Sequence, residues 1–403
     1  MGEAARLGRN AERRKTEMNL DASNLALEWQ KKMEQYEKEY LERGGPEPAV
    51  EETESELDID ARRRYTKFRY DWITLWSSNY GSFEDSTGIP YMRYTHEPAP
   101  PCTWFCNTLQ IFSARVAGLK CGLQWPLDVY GMVAVRDIVD RSRNIIFSRG
   151  RDNCQTLTET VPVITELKQA RVAVYCDAPD GRPTPARNPT GAGAGDPFLV
   201  LTGPTHAVVL MDHVTFEVDL KVKGVTKFED KVLSLLAKPL ILHESTTLGS
   251  RLFYQSYRGT RSTLEFKLAD IGRSVEATIF VRITDGSWPD GYHGQFAACT
   301  AGIDHEKVIL LDFEDENTSV IVDGSIELSR RVISVGVGKK LKVSVKAWLG
   351  DYAVVEEDRV DFTPMDAGLS SGSHRLRVGS CEMEVTVAWS LIASSPEPRR
   401  KQG

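Results

Sequence analysis

No stretch of this 403-residue chain approaches the ~20 consecutive apolar residues that a membrane-spanning helix needs. The first residues, MGEAARLGRNAERRK, lack the apolar core of a secretory signal. Arg6 stands where a myristoylation site requires Ser or Thr. Motifs that announce nucleotide or hydrolytic chemistry are also missing. There is no G-x-S-x-G, no H-E-x-x-H, no P-loop, and no G-x-G-x-x-G leading into a helix. The formal net charge of −7 argues against nucleic acid or an anionic membrane as a general partner and leaves only local basic patches open. Seven cysteines, an odd number without a signal sequence, point to reduced thiols. Cys102 and Cys106 form C-x3-C, but no second Cys or His pair completes a zinc set. The expectation is a soluble intracellular protein, cytoplasmic or nuclear, with no metal and no cofactor.

What is present is organised along the chain. Residues 1–20 are polar and without apolar period, as in disordered segments. Leu25, Trp29, Met33, Tyr36 and Tyr40 then line one face of a helix over 21–44 that Gly44-Gly45-Pro46 ends. Such a helix is suited to docking or weak self-association. Residues 45–61 read as an acidic linker, and 62–107 as an aromatic and Pro-rich lead-in. Within it Phe68, Trp72 and Trp76 share a helical face, which favours packing on the body over stacking on nucleic acid.

From residue 108 the pattern changes to strands. PLDVYGMVAVRD places Leu127, Val129, Gly131, Val133 and Val135 on one face. In VTFEVDLKVKG, Phe216, Val218, Leu220 and Val222 alternate with Glu217, Asp219, Lys221 and Lys223, which predicts an antiparallel sheet with one wet face. Residues 161–195, rich in Pro, Gly and Ala, interrupt this first β unit (108–224). They read as an insertion or a retained intron, because deleting them leaves a short hairpin connection. Residues 225–250 read as a crossover, in which SLLAKPLILHE is a strand or a short helix broken at Pro239. A second β unit follows (251–392), with Val275, Ala277, Ile279 and Val281 on one face, and then a tail (393–403).

The second unit echoes the first. VYGMVAVRD and VEATIFVRI align without gaps from Val129 and Val275, and VTFEVDLKVKG matches KKLKVSVKAW. The fold class that follows is mainly β: an antiparallel β-sandwich-type body with an internal duplication, plus the N-terminal helix.

Charged residues around Val129–Val135 are the leading candidates for function. Arg136, Asp137, Asp140, Arg143, Arg149 and Arg151 lie on two adjacent strands, and guanidinium forks suit phosphate or carboxylate. The weightier reading is an internal Arg–Asp network that pins strand register, since the local charges nearly balance. Trp288, in DGSWPDG, is a candidate stacking residue or a plug at a sheet end. Asp137 and Asp140, taken with Asp285, Asp290 and the FEDEN run at 313–317, resemble calcium-loop carboxylates only loosely, being spread between the two repeats. No set of residues stands out as catalytic.

The segments IFSARVAGL, GLQWPLDVYGMVAVRDIVDRSRNIIFSRGRDNCQ, LTGPTHAVVL, FEVDLKVKG and DGSWPDG resemble a plant family, a domain of unknown function expanded in grasses. The resemblance covers most of residues 62–390. It implies a predominantly β protein, in some members joined to a ribosome-inactivating domain as in jasmonate-induced proteins, and hence a setting in stress or defence. It carries no catalytic residues. The functional expectation is a non-enzymatic binding or protein-interaction module with an unidentified protein partner. The alternatives are an RNA-directed or other enzyme, and a calcium- or lipid-binding β-sandwich.

Overall fold

The structure, a computed structural model, describes residues 56–96, 101, 103–159, 196–211, 213–241, 249–313, 323–349 and 356–393. The helix expected at 21–44 and the segment 161–195 therefore lie outside the described residues. Helix α1 (Glu56–Tyr80) begins inside the stretch read as acidic linker. Its aromatic face is the one the spacing predicts: Trp72, Tyr80 and Phe83 are buried together, with Tyr65, Phe68 and Trp76 packed against them. Asp58, in its first turns, is ion-paired with Arg261 of the body.

The strands follow in chain order: β1 (Thr103–Trp104), β2 (Cys106–Leu119), β3 (Leu127–Arg136), β4 (Asn144–Arg149), β5 (Gln155–Leu157), β6 (Val208–Val209), β7 (Val214–Val222), β8 (Lys231–Leu240), β9 (Ser250–Arg258) and β10 (Ser262–Asp285). They continue with β11 (Tyr292–Thr300), β12 (Val308–Phe313), β13 (Ser325–Ile326), β14 (Val332–Gly336), β15 (Leu341–Leu349), β16 (Glu356–Phe362), β17 (Ala367–Ser370), β18 (Arg375–Val378), β19 (Cys381–Ser390) and β20 (Ile392–Ala393). The 24-residue β10 is the spine. Its first half pairs with β2 and β9, and its second half with β14, β13 and β19. A sheet ordered β4-β3-β7-β8 packs on the first half, and a sheet ordered β12-β11-β15-β16 on the second. The body is two β-sandwiches sharing one strand.

That sharing moves the boundary expected at residues 225–250. β8, β9 and the first half of β10 complete the first sandwich, so the junction falls within β10, where Arg273 takes φ 45° beside Gly272. Even-numbered Leu264, Phe266 and Leu268 enter the first core, while odd-numbered Val275, Ala277, Ile279 and Val281 enter the second. SLLAKPLILHE is largely strand β8. Pro239 is tolerated there because β8 is an edge strand, where a missing N–H faces outward. The broken alternation of IFSARVAGL has a cause too. The β2–β10 register skips Phe112, a bulge that sends its ring into the second core while Ile111 and Ala114 stay in the first.

The duplication is present, but its register differs from the Val129–Val275 alignment. Strand pairing makes β3 equivalent to β11, not to the second half of β10. Gly131 sits opposite Leu220 of β7, and Gly294 opposite Ala347 of β15. A bulge separates Val133 from Ala134 in the β3–β4 ladder, and another separates Phe296 from Ala297 in the β11–β12 ladder. The match of VTFEVDLKVKG to KKLKVSVKAW stands, since β7 and β15 occupy the same place. Val275 misled because a buried central strand reads as an apolar run in either sheet.

Thr158 and Asp196, which flank the long segment, are bonded: Thr158 N–H donates to the Asp196 carbonyl at 3.0 Å, and Asp196 N–H to the Thr158 hydroxyl at 2.7 Å. The chain thus leaves and rejoins the body at one point.

Candidate functional site

The β3–β4 hairpin runs along the first sandwich and carries the candidate residues to opposite ends. Tyr130 and Arg136 are six residues apart, about 20 Å at ~3.3 Å per residue. At the Arg136 end, the wet face expected for β7 is not wet. Glu217 points outward from β7, yet it is fully buried because α1 covers it. Its carboxylate accepts from Arg136 Nε at 2.8 Å, from Arg143 Nη2 at 2.6 Å and from the Tyr65 hydroxyl at 2.5 Å. Arg136 also donates to the carbonyls of Arg141 (2.6 Å) and Phe83 (2.7 Å), and its guanidinium lies 4.4 Å from the Phe83 ring centroid. Every guanidinium nitrogen of Arg136 therefore has a protein acceptor. Burial, reinforced by the Glu217 carboxylate, pushes the Tyr65 hydroxyl far above the usual phenol range.

Asp137 and Asp140 organise the turn beyond β3. Asp137 accepts from the backbone of Val139 (2.9 Å), Asp140 (3.1 Å) and Val209 (2.8 Å). Burial holds its carboxyl above the ordinary range, opposed by nearby His206 and those N–H bonds. Asp140 accepts from Thr87 Oγ1 at 2.6 Å and from Ser142 N–H at 2.8 Å. These residues tie helix, turn and sheet together, and the Arg–Asp density at this end is internal bonding. Trp288 is likewise enclosed. Its Nε1 donates to the Tyr292 carbonyl at 2.9 Å, and its ring packs edge-on against Phe313 at 5.0 Å in the second core. It plugs the sandwich end.

Arg149 and Arg151 lie at the other end of β3, beside a feature that the sequence reading passed over. The β7–β8 turn, KGVTKFED, puts Val225 at 94% and Phe228 at 101% exposure. This loop is braced. Asp230 accepts from Arg151 Nε (2.9 Å) and Nη2 (3.1 Å), from the Tyr130 hydroxyl (2.7 Å) and from Gly224 N–H (2.8 Å). Arg151 Nη2 closes the ring on the Gly224 carbonyl at 2.9 Å. The bidentate Arg151 bond holds the Asp230 carboxyl well below the usual range, while burial and the Asp230 bond push Tyr130 up to about 12. Thr226 and Glu229 form a reciprocal capping box. At Gly224 a Cβ would meet Glu229 at 2.6 Å, so only glycine lets the turn close. The sequence signal was available: Val225 and Phe228 are apolar residues standing where strand alternation has stopped, in a run that is otherwise lysine-rich.

Lys221 and Lys223, half-exposed, and Lys227 and Lys231, exposed, flank the tip along the chain, with no ion pair to any of them among the described residues. A shallow open groove of about 300 Å³ runs from the loop base along the outer sheet, lined by Tyr130, Ser148, Arg149, Asp219 and Lys221. Of the proposed calcium acids, those past Phe313 lie outside the described residues. Among the described residues no three His, Cys, Asp or Glu gather in a metal-holding group. No described helix is long and apolar enough to cross a membrane.

The chain belongs to the family described as Domain of unknown function (DUF6598), whose sequence model matches residues 108–179 and 184–387. That match enters the segment read as an insertion and spans both sandwiches. No curated protein matches the chain. Solved structures with some likeness include human GIVD cytosolic phospholipase A2 (8% identity, TM-score 0.20, covering 71% of this chain and 33% of the phospholipase). The paired C2 domains of calcium-bound extended-synaptotagmin 2 align over 73% of this chain and 99% of that one, at 11% identity and TM-score 0.23. The chain spans about a third of the phospholipase's length.

Proposed function

We propose that this protein is a non-enzymatic binding module whose contact surface is the loop end of the first sandwich. One observation carries the reading: Val225 and Phe228 stand fully in solvent on a loop whose base is braced by hydrogen bonds among Gly224, Asp230 and Arg151. Leaving a Phe side chain in water forgoes about 1.5–3 kcal/mol of burial free energy. A slack loop would fold such a ring back onto the sandwich, and the Asp230–Arg151–Tyr130 brace prevents this. The ionisable residues that would suggest chemistry are engaged elsewhere: Glu217, Asp137 and Arg136 are all committed to protein partners. The setting we propose, plant stress or defence, rests on the motif resemblance alone.

The test is site-specific photo-crosslinking of the full chain with a benzoylphenyl side chain at position 228, and a control at Leu349 on the second sandwich. In cell extract a saturable adduct at 228, absent at 349, is the expected result. If position 228 reacts only with solvent, the binding reading fails.

A further inference from the structure

Resting on that reading, we infer that the partner of the loop end is an anionic lipid surface, into which Val225 and Phe228 insert. Three observations select a bilayer over a protein. The apolar groups form an apex and not a flat patch, which matches insertion of side chains about 5–10 Å into the headgroup–acyl boundary. The apex is flanked in the chain by half-exposed Lys221 and Lys223 and exposed Lys227 and Lys231, and lysine is depleted in protein–protein interfaces but attracted by anionic leaflets. Of the two acids of the loop, Asp230 is neutralised by its ion pair with Arg151 while Glu229, bonded to Thr226 N–H, keeps its charge, so four lysines face one uncompensated carboxylate over residues 221–231.

The whole-chain charge of −7 then becomes an orienting device. An anionic surface repels most of the molecule and attracts this end, so approach is productive in one pose. In that pose the long lysine stems lie along the acyl boundary with their ammonium groups at headgroup level. The groove holding Arg149 and Lys221 opens beside the tip, where a lipid phosphate meets two cations; Asp219, also in its lining, disfavours deeper entry of the anion. The brace matters here as well, because an apex held in place loses little conformational entropy on insertion.

The experiment is co-sedimentation of the full chain with vesicles of phosphatidylcholine alone and of phosphatidylcholine with about one quarter phosphatidylserine. Binding is expected on the mixed vesicles only, weakening as salt rises. The Val225→Ser/Phe228→Ser variant should bind at least about tenfold more weakly with unchanged thermal unfolding, since both side chains are already in solvent. Lys223→Glu/Lys227→Glu should lose about tenfold or more on the mixed vesicles. Equal binding by wild type and the serine variant, or no binding to anionic vesicles, overturns the inference. The 228 crosslink separates it from the broader reading. A lipid adduct supports both. A discrete protein adduct without lipid leaves the binding module standing and removes the bilayer, and no adduct removes both.

Discussion

The two sandwiches share a framework and differ in what lies on their outer sheets. At the position of Arg136 in β3, the second sandwich has Cys299 in β11; at Glu217 in β7 it has Ser344 in β15; at Arg143 before β4 it has Lys307 before β12. The first set forms a buried charge cluster under helix α1. Around the second set, the outer sheet carries exposed or half-exposed pairs such as Lys346–Glu357 and Lys342–Asp304. Charge buried beneath a helix must be matched exhaustively, whereas charge on an open sheet contributes little either way. The charge density that the sequence offers as a candidate site is thus a consequence of docking α1 on one sheet and not on the other.

The sharpest way to break that comparison is to remove the same position from both sandwiches. Glu217→Ala strands two guanidinium groups under α1 and should cost about 3–5 kcal/mol in chemical denaturation. Ser344→Ala gives up one long hydrogen bond to the Ala297 carbonyl and should cost about 1 kcal/mol or less. Equal costs would mean that the cluster is not what distinguishes the two halves. Next come the equivalent glycines. Gly131→Ala combines φ 115° with a Cβ 2.1 Å from the Asp219 carbonyl oxygen and should destabilise by about 2–3 kcal/mol. Gly294→Ala meets the Phe313 and Trp288 rings, which have some freedom to shift, and should cost less, about 1–2 kcal/mol.

The smallest effect is in pH dependence. The folded-state pKa of Asp230 lies below its unfolded value, so the native state binds fewer protons there. The stability it contributes is present above about pH 4 and is lost as pH falls toward the depressed value. Thermal denaturation between neutral pH and strong acid should show that loss reduced in Asp230→Asn. Asp304 is depressed through its bond to Lys342, but the pair is exposed, and Asp304→Asn should change the profile less. A larger change from Asp304 would reverse the ranking of the two outer faces.

Periodicity carried most of the fold. The faces of β3, β7 and the second half of β10 were readable because a period of two separates core from exterior, and the aromatic face of α1 because i, i+4 neighbours stack. The true repeat register was not readable. Gly131 and Gly294 are equivalent through their pairing partners, which periodicity does not report. Of the candidate site residues, Arg149 and Arg151 reach the end of the sandwich that carries the exposed loop. Arg136, Asp137, Asp140 and Arg143 reach the other end, and Trp288 reaches the second core. The β3–β4 hairpin spans both ends, and its length separates residues that lie close together in the sequence.

By itself, then, the sequence determined that this is a duplicated antiparallel β protein with a packed aromatic helix, since alternation and helical spacing are local consequences of backbone geometry. Only the tertiary structure decided which charges are buried and which apolar groups are exposed. Glu217 reads as solvent-facing until α1 is laid over it, and nothing in the spacing of Phe228 shows its ring standing in solvent on a loop braced at Asp230. Burial is set by what lies across the sheet, and that partner can be far away in the chain.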